Sequence, residues 1–252
     1  MSDVREQFGK SARQYLTSPV HGDEQELREL VEWVNPSGGP ILDVATGAGH
    51  TAFAFAKVAS NVVALDITPE MLAVVSEECH KRGLNNIGIC LASADQIPFD
   101  KNSFEGVTCR TAPHHFPDVS AFLHECARVT KSGGWLMIQD TCGIDIDDLA
   151  DNELHEIEVL RDPSHVRNLK PSVWHQKITE CGYVIRDWKL GSKSIGAELW
   201  FDRMRVSPEN REILRAKIEG SERVLREVLN PRQKEDGLYF DLPFIAYVAD
   251  KP

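Results

Sequence analysis

The chain has 252 residues, of which 28 are basic and 39 acidic, for a net charge of −11. That balance argues against a general nucleic-acid grip, which needs a basic face, while 42% hydrophobic residues suffice for a sizeable core. No run of about 18 apolar residues is present to span a membrane, and the charged stretch from Met1 to Tyr15 has no apolar signal-peptide core, so a cytoplasmic location is expected.

Residues 3–16 carry Val4, Phe8, Ala12, Tyr15 and Leu16 at helical spacing, and residues 23–34 carry Leu27, Leu30, Val31 and Val34 on one helical face. Asn35 to Pro40 is a loop by its Pro and Gly dipeptides. Ile41 to Val44 is a short apolar run of buried-strand length, Gly47 and Gly49 turn the chain, and His50 to Lys57 is rich in helix formers. Asn61 to Leu65 is a second β-branched strand that ends at Asp66. Strand, glycine turn, helix, strand and acid make the first half of a doubly wound nucleotide fold. In it the glycines let a ligand approach the backbone, the open N–H groups of the helix start can hold an anion, and Asp66 stands where two ribose hydroxyls would be bound.

Thr68, Pro69 and Glu70 start a helix that stops near Gly83. Ile87 to Ala92 is a third strand, followed by Ala94, Asp95 and Gln96. Asp43, Asp66 and Asp95 thus stand on or just beyond three successive strands and line one crevice. Phe104 to Arg110 is a fourth strand, and His114 and His115 follow it on a loop facing that crevice. Trp135 to Gln139, after the Lys131–Gly134 turn, is a fifth strand with Asp140 at its crevice end. An acidic helical segment over 144–170 comes next, then a helix over 173–181, a sixth strand over 183–190, two or three helices over 196–229 and a last strand over 243–249. The six cysteines show no zinc-type spacing and are expected to be reduced, and no metal site is expected.

Gly47-Ala48-Gly49-His50-Thr51-Ala52 fits the dinucleotide pattern G-x-G-x-x-A, but Asp43 lies inside the strand and would repel a pyrophosphate. Asp43-Val44-Ala45-Thr46-Gly47-Ala48-Gly49 instead resembles motif I of class I S-adenosylmethionine (SAM) methyltransferases, Asp/Glu-x-Gly-x-Gly-x-Gly, departing from it at Ala45. Asp95-Gln96-Ile97-Pro98-Phe99 with Ser103-Phe104, and Arg128-Val129 through Asp140, resemble two further stretches of that family. Over about residues 8–142 the chain is similar to the ubiquinone/menaquinone C-methyltransferase group, and Arg161-Asp162-Pro163-Ser164-His165 resembles a segment of its uncharacterised relatives. The quinone enzymes' Arg-Asn-Val is replaced here by Arg110-Thr111-Ala112.

The resemblance implies an α/β fold: a doubly wound, seven-stranded, mostly parallel sheet in the order 3-2-1-4-5-7-6, with the last strand antiparallel and helices on both faces. It implies one methyltransferase domain over 1–252, with N-terminal helices (1–35) over the cofactor and helical lid or cap insertions over 144–170 and 196–235. The cofactor would be SAM, leaving as S-adenosylhomocysteine. Its expected contacts are Tyr15, His21, Asp43, Ala45, Thr46, Gly47, Gly49, Asp66, Ile67, Met71, Ala94, Asp95, Gln96 and Arg110. Asp43 would meet the ammonium end, and Met71 and Asp95 the adenine. The acceptor would be a small molecule with a C, O or N nucleophile, and His115, Asp140 and His165 are the candidate bases if the acceptor must lose a proton. A SAM-binding protein or cyclase on the same fold, and an NAD-dependent oxidoreductase, are the alternatives. The oligomeric state is not legible.

Overall fold

In the computed structural model, which describes residues 12–16 and 22–252, the chain runs first through α1 (Ala12–Leu16) and α2 (Glu24–Val34). Asp23 starts α2 by accepting the backbone N–H groups of Gln25 and Glu26, and Asn35 ends it in the left-handed conformation. Next come β1 (Ile41–Val44), α3 (His50–Phe55), β2 (Val62–Asp66), α4 (Pro69–Arg82), β3 (Ile87–Leu91) and β4 (Phe104–Arg110). A 3₁₀ turn at Pro113–His115 leads to α5 (Val119–Val129), β5 (Thr130–Thr141), α6 (Asp148–Arg161) and α7 (Pro171–Glu180). The chain ends with β6 (Val184–Gly196), α8 (Ala197–Arg203), α9 (Pro208–Glu219), α10 (Arg223–Leu229), β7 (Arg232–Lys234) and β8 (Gly237–Asp250).

The sheet order is β3-β2-β1-β4-β5-β8-β6, with β7 paired to β8. Strands β1 to β5 are parallel, and β8 inserts antiparallel between β5 and β6. This is the expected doubly wound order with one strand added. The short β7 falls in the region read as helical, where the Glu235–Asp236 turn, Gly237 at φ +130° and the Tyr239 hydroxyl donating to Asp236 fold it back on β8. The turn expected at Lys131–Gly134 is a bulge inside β5, so that Thr130 pairs with Phe104 and Trp135 with Gly106.

Both faces of the sheet are covered. On one, Phe122, Leu123 and Cys126 of α5 and Trp174 and Ile178 of α7 pack on Leu42, Val107, Leu136 and Tyr247. On the other, α2, α3 and α4 bring Leu30, Val34, Phe53, Phe55 and Val75 against Ile41, Val62 and Met137. A strand buried on both faces reads as continuously apolar, which is why β1 is fully buried, Asp43 included.

β6 and β8 outrun the rest of the sheet. Their pairing continues from Gly191↔Phe244 to Gly196↔Tyr239, past the carboxyl end of β5 at Thr141↔Phe244. The ribbon carries Ile195, Leu238, Phe240 and Leu242 into a separate core with Leu154 and Ile157 of α6 and Trp200, Phe201, Leu214, Ile218, Leu225 and Leu229 of α8 to α10. These helices therefore gather at the end of the sheet where the crevice opens. No helix of the described residues is long and apolar enough to cross a membrane.

Candidate active site

A cavity of about 330 Å³ opens at the carboxyl ends of β1, β2 and β4, where the strand order reverses. Its floor is the β1–α3 turn. Asp43, 1% exposed, accepts the Thr46 hydroxyl at 2.6 Å and the Thr108 hydroxyl at 2.7 Å. Burial pushes its carboxyl up to about 6, against the pull of those two hydroxyls and of Arg110. Asp66 closes the same turn: Gly47 N–H donates to one oxygen and Thr68 N–H to the other, each at 2.8 Å. Burial raises its pKa as well, opposed by those backbone donors.

The two glycines differ in use. Gly49 has φ +89°, and a Cβ there would meet the Phe53 ring at 2.7 Å and Val75 at 3.0 Å, so the residue serves the packing of α3 on α4. Gly47 has φ +54°, its Cβ position is open, and the residue lines the cavity. Ala45, where the motif has glycine, also takes a left-handed backbone at φ +52°. The turn thus keeps the glycine conformation at a steric cost, rather than adopting a different shape.

Of the expected contacts, Asp43, Ala45, Thr46, Gly47, Asp66, Ile67, Met71, Ala94, Asp95 and Arg110 line this cavity. Met71 is buried with Ala12, Ala48 and Val74. Gln96 is exposed and, like Gly49, does not line the cavity. His21 lies outside the described residues, and the side chain of Tyr15 does also. Ser93, Thr111, Phe116 and Phe122 line the cavity without having been expected. The last three come from the loop after β4 and from α5, a region with no motif of its own.

A second cavity, of about 110 Å³, adjoins the first and shares Arg110, Thr111 and His115 with it. Thr111 sits at this junction with φ +54°, held by its N–H donating to the Gln139 carbonyl at 2.7 Å. Arg110 donates from Nε to the Thr51 hydroxyl at 3.1 Å and lies 4.0 Å from Glu26. Arg161, Trp200, Lys193 and Phe244 close the far side.

The candidate bases separate in space. Asp140 is buried and accepts both the backbone N–H (2.7 Å) and the ring Nδ1 (2.6 Å) of His114. Since a carboxylate only accepts, Nδ1 carries the proton and Nε2 is the basic nitrogen. Burial by itself lowers the His114 pKa. The charge and hydrogen bond of Asp140, with Glu158 and Asp162 behind, outweigh it and raise the pKa. His115 Nδ1 faces the Ser164 carbonyl at 3.1 Å, and burial together with the neighbouring His114 pushes its pKa well down, so it is a neutral imidazole. His165 lines neither cavity. It lies behind, 5.4 Å from the His114 ring, with Nε2 buried and without a partner among the described residues, and burial followed by the charge of His114 pushes its pKa down to about 2. From the sequence, a structural or edge-of-pocket role is expected of either His114 or His115 ahead of catalysis. The pairing of His114 with Asp140 spans 26 positions, and local spacing carries no sign of it.

A doubly wound sheet with β8 inserted antiparallel and an acid-lined cavity at the switch point defines a class I SAM-dependent methyltransferase, and the chain belongs to that family. A methyltransferase-domain family model matches residues 42–138, which run from β1 to β5. The chain is 31% identical over 206 residues to the uncharacterized methyltransferase YcgJ of Bacillus subtilis, covering 81% of each chain. It is 38% identical over 144 residues to the ubiquinone/menaquinone biosynthesis C-methyltransferase UbiE of Brucella suis, which is 52% of this chain and 53% of that one. The crystal structure of a candidate methyltransferase from Bacillus halodurans superposes with a TM-score of 0.85 at 32% identity, over 90% of this chain and 99% of the other.

Proposed function

We propose that the chain moves the methyl group of SAM, held in the larger cavity, to a small-molecule acceptor held in the smaller one. The observation that carries this reading is the shared wall: Arg110, Thr111 and His115 belong to both cavities, so a donor and an acceptor would meet there. The donor fits the residues present. Gly47 leaves open the space a side chain would fill. Each oxygen of Asp66 accepts one backbone N–H, which leaves lone pairs for two hydroxyls. The raised pKa of Asp43 means that a cationic ammonium nearby would stabilise its ionised form. Met71 and Ala94 supply apolar wall for a planar base, with Asp95 at the rim.

SAM supplies a methyl group already activated by its sulfonium, so the protein's task is chiefly alignment and exclusion of water. Thr111, fixed in a strained conformation by Gln139, and Arg110, fixed by Thr51, shape the opening between the cavities. When the acceptor must lose a proton, His114 Nε2 takes it, and Asp140 steadies the imidazolium that results. His115, held neutral, acts as a hydrogen-bonding wall. Residues 144–170 and 196–235 serve as lid and cap, since α6 and α8 carry Arg161 and Trp200 of the acceptor cavity. The test is incubation with methyl-labelled SAM and a metabolite extract. Transfer of label to a small product supports the reading. SAM binding without any transfer would make the chain a SAM-binding protein or cyclase instead.

A further inference from the structure

The acceptor cavity holds an arginine whose donors are largely unspent. The Arg161 side chain is 11% exposed and lines the cavity. Its guanidinium lies over the Trp200 ring, 4.6 Å from the centroid, and Nε donates to the Trp200 carbonyl at 3.3 Å. These contacts fix the plane of the group. Among the described residues its two terminal nitrogens make no hydrogen bond, and the nearest carboxylate, Glu158, is 3.9 Å away. Burial raises the pKa of Glu158, opposed by the charge of Arg161. The other acids at the cavity are committed: Asp140 to His114, Asp162 to Ser164, and Glu26 to Lys193 at 2.5 Å.

The same cavity is also lined by a residue with an acceptor that lacks a donor among the described residues. Gln139 Nε2 donates to Glu26 at 3.0 Å, which fixes the orientation of the amide, and among the described residues the buried Oε1 has no hydrogen-bond partner. The volume, about 110 Å³, is smaller than the 150 Å³ or so that holds the six carbons of a benzene molecule, so an acceptor of about four or five non-hydrogen atoms fits without enlargement.

Resting on the methyltransferase reading above, we infer that the acceptor is a small hydroxy- or amino-carboxylic acid. The Arg161 fork holds its carboxylate, and its hydroxyl or amino group faces Gln139 Oε1. A planar guanidinium with two parallel donors matches a carboxylate bidentately, and a donor on the acceptor would satisfy an otherwise orphaned oxygen.

The test uses the full chain, with and without S-adenosylhomocysteine, and thermal-shift titration with glycolate and glycine, each against its methyl ester. Glycerol phosphate is the phosphate control. At least one acid should raise the melting temperature in a concentration-dependent way while its ester does not. Arg161→Gln should weaken that acid at least tenfold and leave S-adenosylhomocysteine affinity unchanged. Should Arg161→Gln not fold, Arg161→Lys, which keeps the charge and loses the fork, should still narrow the acid-to-ester preference. A purely structural role for Arg161 would lower the melting temperature equally with every probe and leave that preference intact, which would overturn the inference. So would equal binding of acids and esters, tighter binding of glycerol phosphate, or no acid binding at all. Binding of S-adenosylhomocysteine without any acid would refute the carboxylate site alone. Acid binding without S-adenosylhomocysteine binding would refute the cofactor reading and keep the anion site.

Discussion

Replacing Gly47 by valine separates the ligand's need for this position from the fold's need for it. A Cβ at Gly47 meets nothing within 4 Å, so the first side-chain atom of the substitution makes no clash inside the protein. What remains is the backbone term: φ is +54°, and an L-residue there costs about 1–2 kcal/mol. For a chain of this size that corresponds to a fall in melting temperature of roughly 2–8 °C. The added side chain would stand at a residue that lines the cavity, where the donor molecule would lie against the backbone. Cofactor affinity should therefore fall about a hundredfold or more, the equivalent of roughly 3 kcal/mol. Gly49→Ala is the internal contrast. Its Cβ would stand 2.7 Å from the Phe53 ring, and overpacking of about 1–3 kcal/mol adds to the φ penalty. That variant should lose stability first, and its folded fraction should still bind. Calorimetric titration with S-adenosylhomocysteine, beside thermal unfolding of both variants, makes the comparison. If Gly47→Val unfolds the protein while its folded remainder binds normally, the open side of this glycine is not where the cofactor lies.

Four further outcomes are expected. Asp66→Ala should weaken S-adenosylhomocysteine binding by about 1.5–3 kcal/mol, the range for hydrogen bonds to a charged group; unchanged calorimetric affinity in folded protein would remove Asp66 from the ribose site. Asp43 has a folded pKa of about 6, above the ordinary carboxyl value, so its contribution to stability is greatest below that ordinary value and is lost as pH rises through about 6. Binding of a cationic ligand beside it should run the other way, with affinity rising from pH 5 to pH 7 and proton release near pH 5.5, detectable in buffers of different ionisation enthalpy; a flat profile would refute the contact. His114→Ala and Asp140→Asn should each lower turnover by about 10²–10⁴-fold while leaving cofactor affinity intact, and either variant turning over at the wild-type rate would end the base assignment. Ala45→Gly should relieve the left-handed backbone at φ +52° and stabilise the fold by up to about 1 kcal/mol, read in urea unfolding; a loss of stability would show that the methyl group of Ala45 contributes packing that outweighs the strain.

Strands β1 to β4 lie close to where the sequence patterns put them, and β1, β2 and β4 are short runs whose residues are almost all buried between the two layers of helices. The edges were harder. β3 has its residues exposed or half-buried, so its composition says little about its place. β6 and β8 run to Gly196 and from Gly237, well beyond the stretches read as strand, because their outer halves pair only with each other, with β7 and with the helices of the cap. The apolar residues that signal these halves, Ile195, Leu238, Phe240 and Leu242, serve the second core, which no local pattern announces.

The same division holds for the site. Asp43, Gly47 and Asp66 lie within 24 positions of one another on a single strand–turn–helix–strand unit, and the parallel register Asp43↔Ala64 and Val44↔Leu65 brings them together through contacts near in sequence. The sequence by itself therefore determined the fold class, the family and most of the residues that line the larger cavity at the switch point. Tertiary structure alone decided which histidine Asp140 holds, that His165 stands behind the cavities, and that Arg161 presents an unspent guanidinium. Those side chains come from a 3₁₀ turn, the end of β5, a loop and the last residue of α6. The insertion of β8 and the packing of the cap helices bring them together, and their meeting depends on burial and on long-range pairing, which neighbouring residues do not encode.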